Sequence, residues 1–178
     1  MAQEGLKGMD LIDLYLWEDL GEGDITSQAL LDDREGMAEI TVGQDGVLAG
    51  IEEAVEVFRR VGCQATPLAA DGERVSEGQR VMQVHGPLKG LLAGERLALN
   101  FLMRMSGIAT LTRQVVESCR KANPNIVIAA TRKTTPGFRR YEKKAVRIGG
   151  GDPHRFGLDD AFLIKDNHLK VFGSVFRA

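Results

Sequence analysis

Cationic side chains follow two short apolar runs in the C-terminal third of the chain. The first run, 126–130, is followed by Arg132 and Lys133, and the second, 161–164, is followed by Lys165. Apolar runs of this length predict buried strands. Because the carboxyl ends of the strands in a parallel α/β barrel carry the chemistry, we interpret these cations as candidate groups for binding or catalysis.

Positive charge is concentrated in residues 131–168. This segment has nine Lys and Arg against five Asp and Glu, whereas residues 1–130 have twelve against twenty, and the whole chain has a net charge of −2. Arginine offers a planar fork to carboxylate or phosphate, and lysine offers a point charge. The distribution therefore predicts a pocket for a small molecule with several negative charges. Nucleic acid is disfavoured, because the aromatic residues among these cations are spaced for packing rather than for stacking on bases.

Five ordered motifs occupy residues 131–168, and three more lie upstream. In chain order the five are TRKTTPG at 131–137, EK at 142–143 with AVR at 145–147, GGG at 149–151, HRFGL at 154–158 and IKDNH at 164–168. The upstream motifs are EDLGEGDIT at 18–26, GERLALN at 94–100 and SGIAT at 106–110. In these motifs, and over nearly its whole length, the chain resembles the quinolinate phosphoribosyltransferases, also called nicotinate-nucleotide pyrophosphorylases (carboxylating).

The resemblance implies an α/β fold in two parts. We expect an N-terminal α+β sandwich-like domain with a long helical connection, residues 1–122, and then the first βα units of an incomplete TIM-like α/β barrel of the type II phosphoribosyltransferase kind, residues 123–178. The boundary falls before Pro124, since proline disfavours helix in the residue that precedes it. A complete barrel takes about 250 residues. We therefore expect the chain to be a fragment or to be completed by another chain.

Apolar spacing predicts the elements that position the motifs. Helices are predicted at 9–20, 51–61, 91–105, 108–121 and 138–148, and a hairpin at 37–49 that turns at 44–46. The break between the third and fourth helices is expected near Ser106 and Gly107. In the last helix we expect four side chains to face solvent: Arg139, Arg140, Lys143 and Lys144. The glycines at 149–151 have two interpretations, backbone amides close to an anion or a plain flexible turn.

The resemblance also implies a reaction and a set of site residues. The reaction joins quinolinate to 5-phosphoribosyl 1-diphosphate with decarboxylation and yields nicotinate mononucleotide, diphosphate and CO₂, a step of de novo NAD biosynthesis. The implied substrate-binding residues are Arg96, Arg132, Lys133, Thr134, His154, Arg155 and Lys165, of which Lys133 and Lys165 are also the candidate catalytic groups. Both substrates are polyanions, so a partly dry pocket needs several fixed cations.

Most of these residues have a provisional role. Arg132 and Arg155 would hold carboxylates, and Arg96 would reach the site of a neighbouring subunit, which implies a homodimer or a higher assembly of dimers. The two lysines and Thr134 would contact the phosphoribosyl donor or the remaining carboxylate. The family's Mg²⁺ ligands are expected in the part of the fold that the chain lacks, and no metal ligand is assigned within it.

Chemistry alone offers structural alternatives for two of the assignments. Arg96 stands beside Glu95 and fits a solvated side chain whose stem covers apolar surface. Lys165 stands beside Asp166 and fits a buried ion pair. Only the motif resemblance favours the substrate-binding role for Arg96.

Composition predicts a soluble globular protein. The chain is 43% hydrophobic over 178 residues, which is enough for a substantial core. No apolar run approaches the roughly 20 residues needed to span a bilayer, and the N-terminus lacks the pattern of a signal peptide, so we expect a cytoplasmic location. Cys63 and Cys119 are too few and too far apart for a disulfide framework or a zinc site.

Three other functions stay open. One is a related phosphoribosyltransferase-like protein associated with molybdate transport, whose strand-end motif also begins Thr-Arg-Lys. Another is a non-catalytic carrier or binding module, because residues 71–84 resemble part of a biotinyl or lipoyl carrier. The absence of lysine from residues 36–88 counts against that carrier. The third is an incomplete chain that folds without activity.

Overall fold

The computed structural model of the protein describes residues 10–174 and residue 176. The helices are α1 (Leu11–Leu20), α2 (Ile25–Leu30), α3 (Ile51–Arg60), α4 (Leu88–Ala122), α5 (Arg139–Ile148) and α6 (Asp166–Phe172). The strands are β1 (Glu35–Thr41), β2 (Gly46–Val47), β3 (Gln64–Pro67), β4 (Arg74–Val75) and β5 (Arg80–Pro87). The helices predicted at 9–20, 51–61 and 138–148 correspond to α1, α3 and α5, with bounds that differ by up to two residues.

Three strands form one antiparallel sheet in the order β1-β5-β3. β5 lies at its centre, where Val84 pairs with Ala38 of β1 and with Ala65 of β3. The side chains of Val81, Met82 and Val84 are buried, so this strand supplies part of the core. The short strands β2 and β4 form a separate antiparallel pair.

The predicted hairpin at 37–49 is wrong. β1 pairs with β5, which is remote in sequence, and β2 pairs with β4. The amide of Val47 in β2 also donates a hydrogen bond to Thr110 Oγ1 of α4 at 2.8 Å. Turn residues at 44–46 carry a local signal only, and here distant partners decide where each strand lies.

Helix α4 is continuous over 35 residues, so the predicted break near Ser106 and Gly107 is wrong. Ser106 Oγ accepts a hydrogen bond from Ala49 N at 2.9 Å and lies 3.2 Å from Ala49 O. Ser106, near which the sequence predicts a helix break, therefore anchors the segment that contains Ala49. One glycine inside a helix costs only about 1 kcal/mol, which the packing along this helix outweighs. Neither α4 nor any other described helix is long and apolar enough to cross a membrane.

An aromatic cluster joins α1, α4 and α5. The ring centroid of Phe101 in α4 lies 4.8 Å from that of Tyr141 and 5.6 Å from that of Phe138. Tyr15 of α1 packs against the same ring at 5.9 Å. Such ring pairs add about 0.5–1.5 kcal/mol beyond the area that they bury. Burial raises the pKa of Tyr141 to about 12. The ring contacts with Phe101 fix the inner face of α5 against α4.

An ionic cluster joins α5 to α3. Lys144 Nζ lies 2.6 Å from the carboxylate of Glu52 and 2.8 Å from that of Glu53. Burial disfavours the charge on Lys144, but the hydrogen bonds to both glutamates outweigh it and raise the pKa of this ammonium above its ordinary value. The expectation that all four α5 cations face solvent is therefore wrong for Lys144, for the buried Lys143 and for the half-buried Arg139, and it is confirmed for Arg140. Because α5 packs against more than one element, lysines beside its apolar face become enclosed and need partners.

The segments predicted as strands at 126–130 and 161–164 form no regular strand. Residues 126–130 make one parallel bridge, between Ala129 and Asp152. Residues 161–164 are exposed and irregular, and Phe162 is fully exposed. A barrel strand is stabilised by a neighbour on each side and by covering helices. The described residues supply one such neighbour for 126–130, which is too little for a ladder.

The C-terminus of α5 packs closely on α4, and Gly149 makes this approach possible. A Cβ atom at Gly149 would lie 2.6 Å from both Ala109 O and Thr112 Cβ. At Gly107, by contrast, nothing lies within 4 Å of the added atom. The two glycines therefore serve as a matched pair for substitution.

We predict opposite effects of alanine at these two positions. Gly149→Ala should lower the free energy of unfolding by about 1–3 kcal/mol, because the backbone of α4 cannot move away freely. Gly107→Ala should raise it by about 0.5–1 kcal/mol, because alanine restricts the unfolded chain and favours helix. Urea titrations measure both values. An unchanged midpoint for Gly149→Ala would contradict the close packing.

Candidate anion-binding site

Two neighbouring segments run parallel at the start of the barrel region. Asp152 N donates a hydrogen bond to Ile128 O, and Ala130 N donates one to Asp152 O, both at 2.8 Å. Asp152 thus bonds to the residues before and after Ala129, its partner in the bridge. This is the hydrogen-bond pattern of a parallel pair. The segments therefore end at the same edge.

A loop with cationic residues follows each segment at that edge. We call residues 131–137 the first cation loop and residues 152–157 the second cation loop. Arg132 lies three residues after one member of the bridge, and Arg155 lies three residues after the other. The two arginines thus stand at equal sequence distances from the parallel bridge, on adjoining loops.

The first cation loop holds Arg132 partly buried. Its Nε is shielded from solvent and has no hydrogen-bond partner within the described residues. Buried donors are nearly always hydrogen-bonded in folded proteins, so this N–H is suited to an anionic ligand. Lys133 is exposed, and its amide donates to Thr131 Oγ1 at 3.1 Å. Thr134 Oγ1 accepts a hydrogen bond from Arg139 Nε at 2.9 Å.

The second cation loop holds His154 and Arg155. His154 is exposed and has a positive φ of 53°, with its amide donating to Asp152 Oδ1 at 2.7 Å. Arg155 is buried, and its Nη1 donates to Ala161 O at 2.9 Å. One arm of this guanidinium therefore orders the following segment.

Lys165 and Arg96 are not brought into contact with these loops. Lys165 directly precedes α6, is exposed, and its amide donates to His168 Nδ1 at 2.9 Å. Within the described residues it forms no ion pair with Asp166, so that alternative is wrong. Arg96 is exposed on α4. The substrate-binding roles of Lys165 and Arg96 stay predictions.

The glycines at 149–151 close α5 rather than bind an anion. Their amides donate to carbonyls of the last turn of the helix, at 2.9–3.0 Å: Gly149 to Ala145, Gly150 to Arg147 and Gly151 to Val146. Because all three N–H groups are used, the anion-binding interpretation of this stretch is wrong.

Glu142 holds the first cation loop in place, a role that the sequence analysis did not predict. Its buried carboxylate accepts hydrogen bonds from Thr135 Oγ1 at 2.8 Å, Thr135 N at 3.2 Å and Arg104 Nη2 at 3.0 Å. Arg104 belongs to α4, so this network fastens the first cation loop to two helices. The sequence contains one signal for this role, which is that the charged Glu142 stands next to the inward-facing Tyr141 of an amphipathic helix.

Lys143 holds the second cation loop in a similar way. It is buried, and its Nζ donates to Pro153 O. Burial lowers the pKa of this ammonium below its ordinary value, and the nearby charge of Arg139 acts in the same direction. Successive residues of α5 therefore contact the two loops.

A cavity of about 540 Å³ lies between α1, α4 and residues 135–138, so the end of the first cation loop, residues 135–137, lines one side of it. Tyr15, Asn100, Arg104 and Phe138 are among its lining residues. It includes none of the seven predicted site residues. We therefore place the candidate site at the cation loops, on the chemistry of their side chains, and not in this cavity.

No metal site is found in the part of the chain that the structure describes. Its His, Cys, Asp and Glu side chains form no group of three or more that could hold a metal ion. The residues at hand therefore do not fit a Mg²⁺ site of their own, and the expected ligands stay a prediction about residues outside this chain.

The charge of Glu142 depends on its partners. Burial disfavours the charged form, but the hydrogen bonds from Thr135 and Arg104 outweigh it and lower the pKa of this carboxyl below its ordinary value. A carboxyl with a lower pKa in the folded state stabilises that state above its unfolded pKa, about 4.3. The contribution is lost as the pH falls through the folded pKa.

We predict that Glu142→Gln lowers the free energy of unfolding at neutral pH by about 1–3 kcal/mol. The difference from the wild type should shrink as the pH falls below the unfolded pKa of about 4.3 and through the lowered folded pKa, because the wild-type carboxyl then becomes protonated as well. Urea titrations over this range measure the difference. A difference that does not vary with pH would show that the charge of Glu142 is irrelevant.

Two family models match the chain. The model described as quinolinate phosphoribosyl transferase, N-terminal domain, matches residues 24–106. The model of the C-terminal domain of the same family matches residues 108–178. The two matches meet inside α4.

Relatives and solved structures agree with these models. A probable nicotinate-nucleotide pyrophosphorylase (carboxylating) of Methanothermobacter thermautotrophicus is 46% identical over 168 residues, which are 94% of this chain and 60% of that protein. One from Archaeoglobus fulgidus is 48% identical over 156 residues, 88% of this chain and 59% of that protein. The structure of the nicotinate-nucleotide pyrophosphorylase from Francisella tularensis superposes with a TM-score of 0.86 at 37% identity, covering 94% of this chain and 59% of that one.

The chain thus spans about 60% of the length of the relatives that it matches. The structural match confirms the predicted fold class, an N-terminal α+β domain followed by part of an α/β barrel of the type II phosphoribosyltransferase kind. Both halves of the chain match the same family, and so the chain belongs to the quinolinate phosphoribosyl transferase family.

Proposed function

We propose that the protein transfers the phosphoribosyl group of 5-phosphoribosyl 1-diphosphate to quinolinate, with loss of CO₂, and forms nicotinate mononucleotide and diphosphate. The names of the relatives from two archaea support this activity. The clustering of cations in two adjoining loops supports it independently, since both substrates carry several negative charges.

The observation that carries the proposal is the placement of Arg132 relative to Arg155. Each follows one member of the Ala129–Asp152 bridge by three residues, on adjoining loops, and Arg132 has a buried N–H without a partner within the described residues. Quinolinate has two carboxylates on neighbouring ring carbons. Two guanidinium forks on adjoining loops suit such a dicarboxylate better than they suit a single anion.

Each remaining residue has a proposed place in the site. Lys133 and Thr134 follow Arg132 on the first cation loop and contact the phosphoribosyl donor, together with Lys165. His154 adds a hydrogen-bond donor beside Arg155. Arg96, exposed on α4, reaches the site of a second copy, so the active assembly is a homodimer or a larger set of dimers. The cytoplasmic location stays a prediction.

These residues act by position and charge rather than by covalent catalysis. In the proposed reaction the ring nitrogen attacks the anomeric carbon while the bond between that carbon and diphosphate breaks. The transition state resembles an oxocarbenium ion. Fixed cations stabilise the departing diphosphate and align the two substrates. The C–C bond to one carboxylate then breaks and CO₂ leaves. The electron pair stays on the ring carbon, where the adjacent positive nitrogen stabilises it, and a proton then binds that carbon.

The direct test is release of CO₂ from quinolinate by the intact gene product. We expect release only when 5-phosphoribosyl 1-diphosphate is present, with nicotinate mononucleotide formed in equal amount. Quinolinate that stays unchanged in the presence of the donor and Mg²⁺ would refute the proposal. That result would favour the related protein of molybdate transport or a chain without activity.

We predict that Arg132→Ala weakens quinolinate binding by about 10- to 100-fold, because a charge-assisted fork to a carboxylate is lost. Calorimetric titration with quinolinate measures the affinity. Arg140→Ala is the matched control, since Arg140 is an exposed arginine of α5 that makes no hydrogen bond within the described residues. Equal affinities in both variants would remove Arg132 from the site.

We predict that Lys165→Met lowers kcat/KM by at least about 10-fold while the thermal midpoint stays unchanged. Methionine keeps an unbranched stem and removes the charge, and the exposed Lys165 makes no ion pair within the described residues that stability would depend on. Steady-state rates of CO₂ release measure the effect. Full turnover would mean that Lys165 only begins α6.

A further inference from the structure

Arg139, at the start of α5, contacts both cation loops. Its Nε donates a hydrogen bond to Thr134 Oγ1 at 2.9 Å, and its Nη1 donates one to Phe156 O at 3.1 Å. Thr134 follows Lys133 in the first cation loop, and Phe156 follows Arg155 in the second. One guanidinium therefore spans the two loops that carry the candidate site.

We propose that Arg139 is a positioning residue that sets the spacing between the two cation loops, while Glu142 and Lys143 fix each loop to α5. The inference rests on the proposed function, since this spacing is what two arginines need in order to hold one dicarboxylate. In this assignment Arg139 acts through Thr134 and Phe156 and does not touch the substrate.

The three residues share one face of the helix. Arg139, Glu142 and Lys143 stand at positions i, i+3 and i+4, which are neighbours on a helix surface. Glu142 accepts hydrogen bonds from Thr135 of the first cation loop, and Lys143 donates to Pro153 O of the second. A single helical turn thus contacts both loops.

This turn belongs to a helix that is itself fixed at both ends. Near its start, Glu142 accepts a hydrogen bond from Arg104 of α4. At its end, Arg113 of α4 donates to Gly149 O and to Ile148 O, both at 3.0 Å. Helix α5 can therefore serve as a rigid frame for the two loops, which form no regular secondary structure.

The substrate explains why such a frame is needed. The carboxylates of quinolinate are held at a fixed separation by an aromatic ring, so the two binding forks must be held at a matching separation. Binding groups that are misplaced by about 1 Å lose much of their effect. Apart from the single bridge at Ala129, the hydrogen bonds that link the two loops within the described residues pass through α5.

If Arg139 only attracted anions, the Arg139→Lys variant would bind quinolinate normally. Attraction needs only the positive charge, which lysine keeps. The contacts to Thr134 and Phe156 instead use two nitrogen atoms at different corners of one planar group, and lysine has a single nitrogen. Arg139→Lys therefore separates positioning from charge.

The experiment compares Arg139→Lys and Arg139→Met with Arg140→Met in the intact gene product. Arg140→Met removes the same charge from the next position, where the side chain is exposed and makes no hydrogen bond within the described residues. Amide hydrogen exchange reports the order of residues 131–135 and 154–157. Calorimetry reports the affinity for quinolinate, and the thermal midpoint reports folding.

We expect both Arg139 variants to exchange faster in both loops and to bind quinolinate about 10- to 100-fold more weakly, with thermal midpoints close to that of Arg140→Met. Unchanged exchange in the loops, or normal affinity in Arg139→Lys, would overturn the positioning role. A wild-type protein that binds no quinolinate would refute the proposed function and the inference with it. Unchanged exchange in the Arg139 variants, with normal wild-type affinity for quinolinate, overturns the inference alone and leaves the proposed function untouched, so the two failures are distinguishable.

Discussion

Packing of the inner face of α5 against α4 is the constraint on which the candidate site depends. Phe101 meets Tyr141 ring to ring, and Gly149 lets the end of α5 approach the backbone of α4. These contacts fix the orientation of the helix, so its polar face is directed toward the loops at the edge of the first parallel segments. Apolar packing on the opposite side of the same helix therefore positions the site.

The cations of the C-terminal region divide into two groups by what they contact. Arg139, Lys143 and Lys144 use their charges within the protein, where they bind a hydroxyl, carbonyls and carboxylates. Lys133 is exposed, and Arg132 keeps a buried donor without a partner within the described residues. A high local count of positive charge is thus only partly a measure of ligand binding, because some of it holds the loops in place.

The sequence predicted the elements whose signal is local and repeated. Helices α1, α3 and α5 follow from their apolar spacing, and the motifs identified the family, its fold and the two cation loops. Elements that depend on distant partners were predicted incorrectly. The turn at 44–46 closes no hairpin because β1 pairs with β5, and α4 passes through Gly107 because packing outweighs its low helix propensity. The network of Glu142 was missed for the same reason, since its partner Arg104 lies on another helix.

The continuity of α4 bears on how this protein family is divided. Its two recognised domains are matched on either side of residue 107, yet no linker separates them, and the helix runs on for 35 residues as one rod of about 50 Å. A cut at that point would expose four amides and four carbonyls that the helix now pairs. The two halves are therefore poor modules for exchange between proteins by recombination. A protease that cuts unfolded segments would likewise find no accessible joint between them.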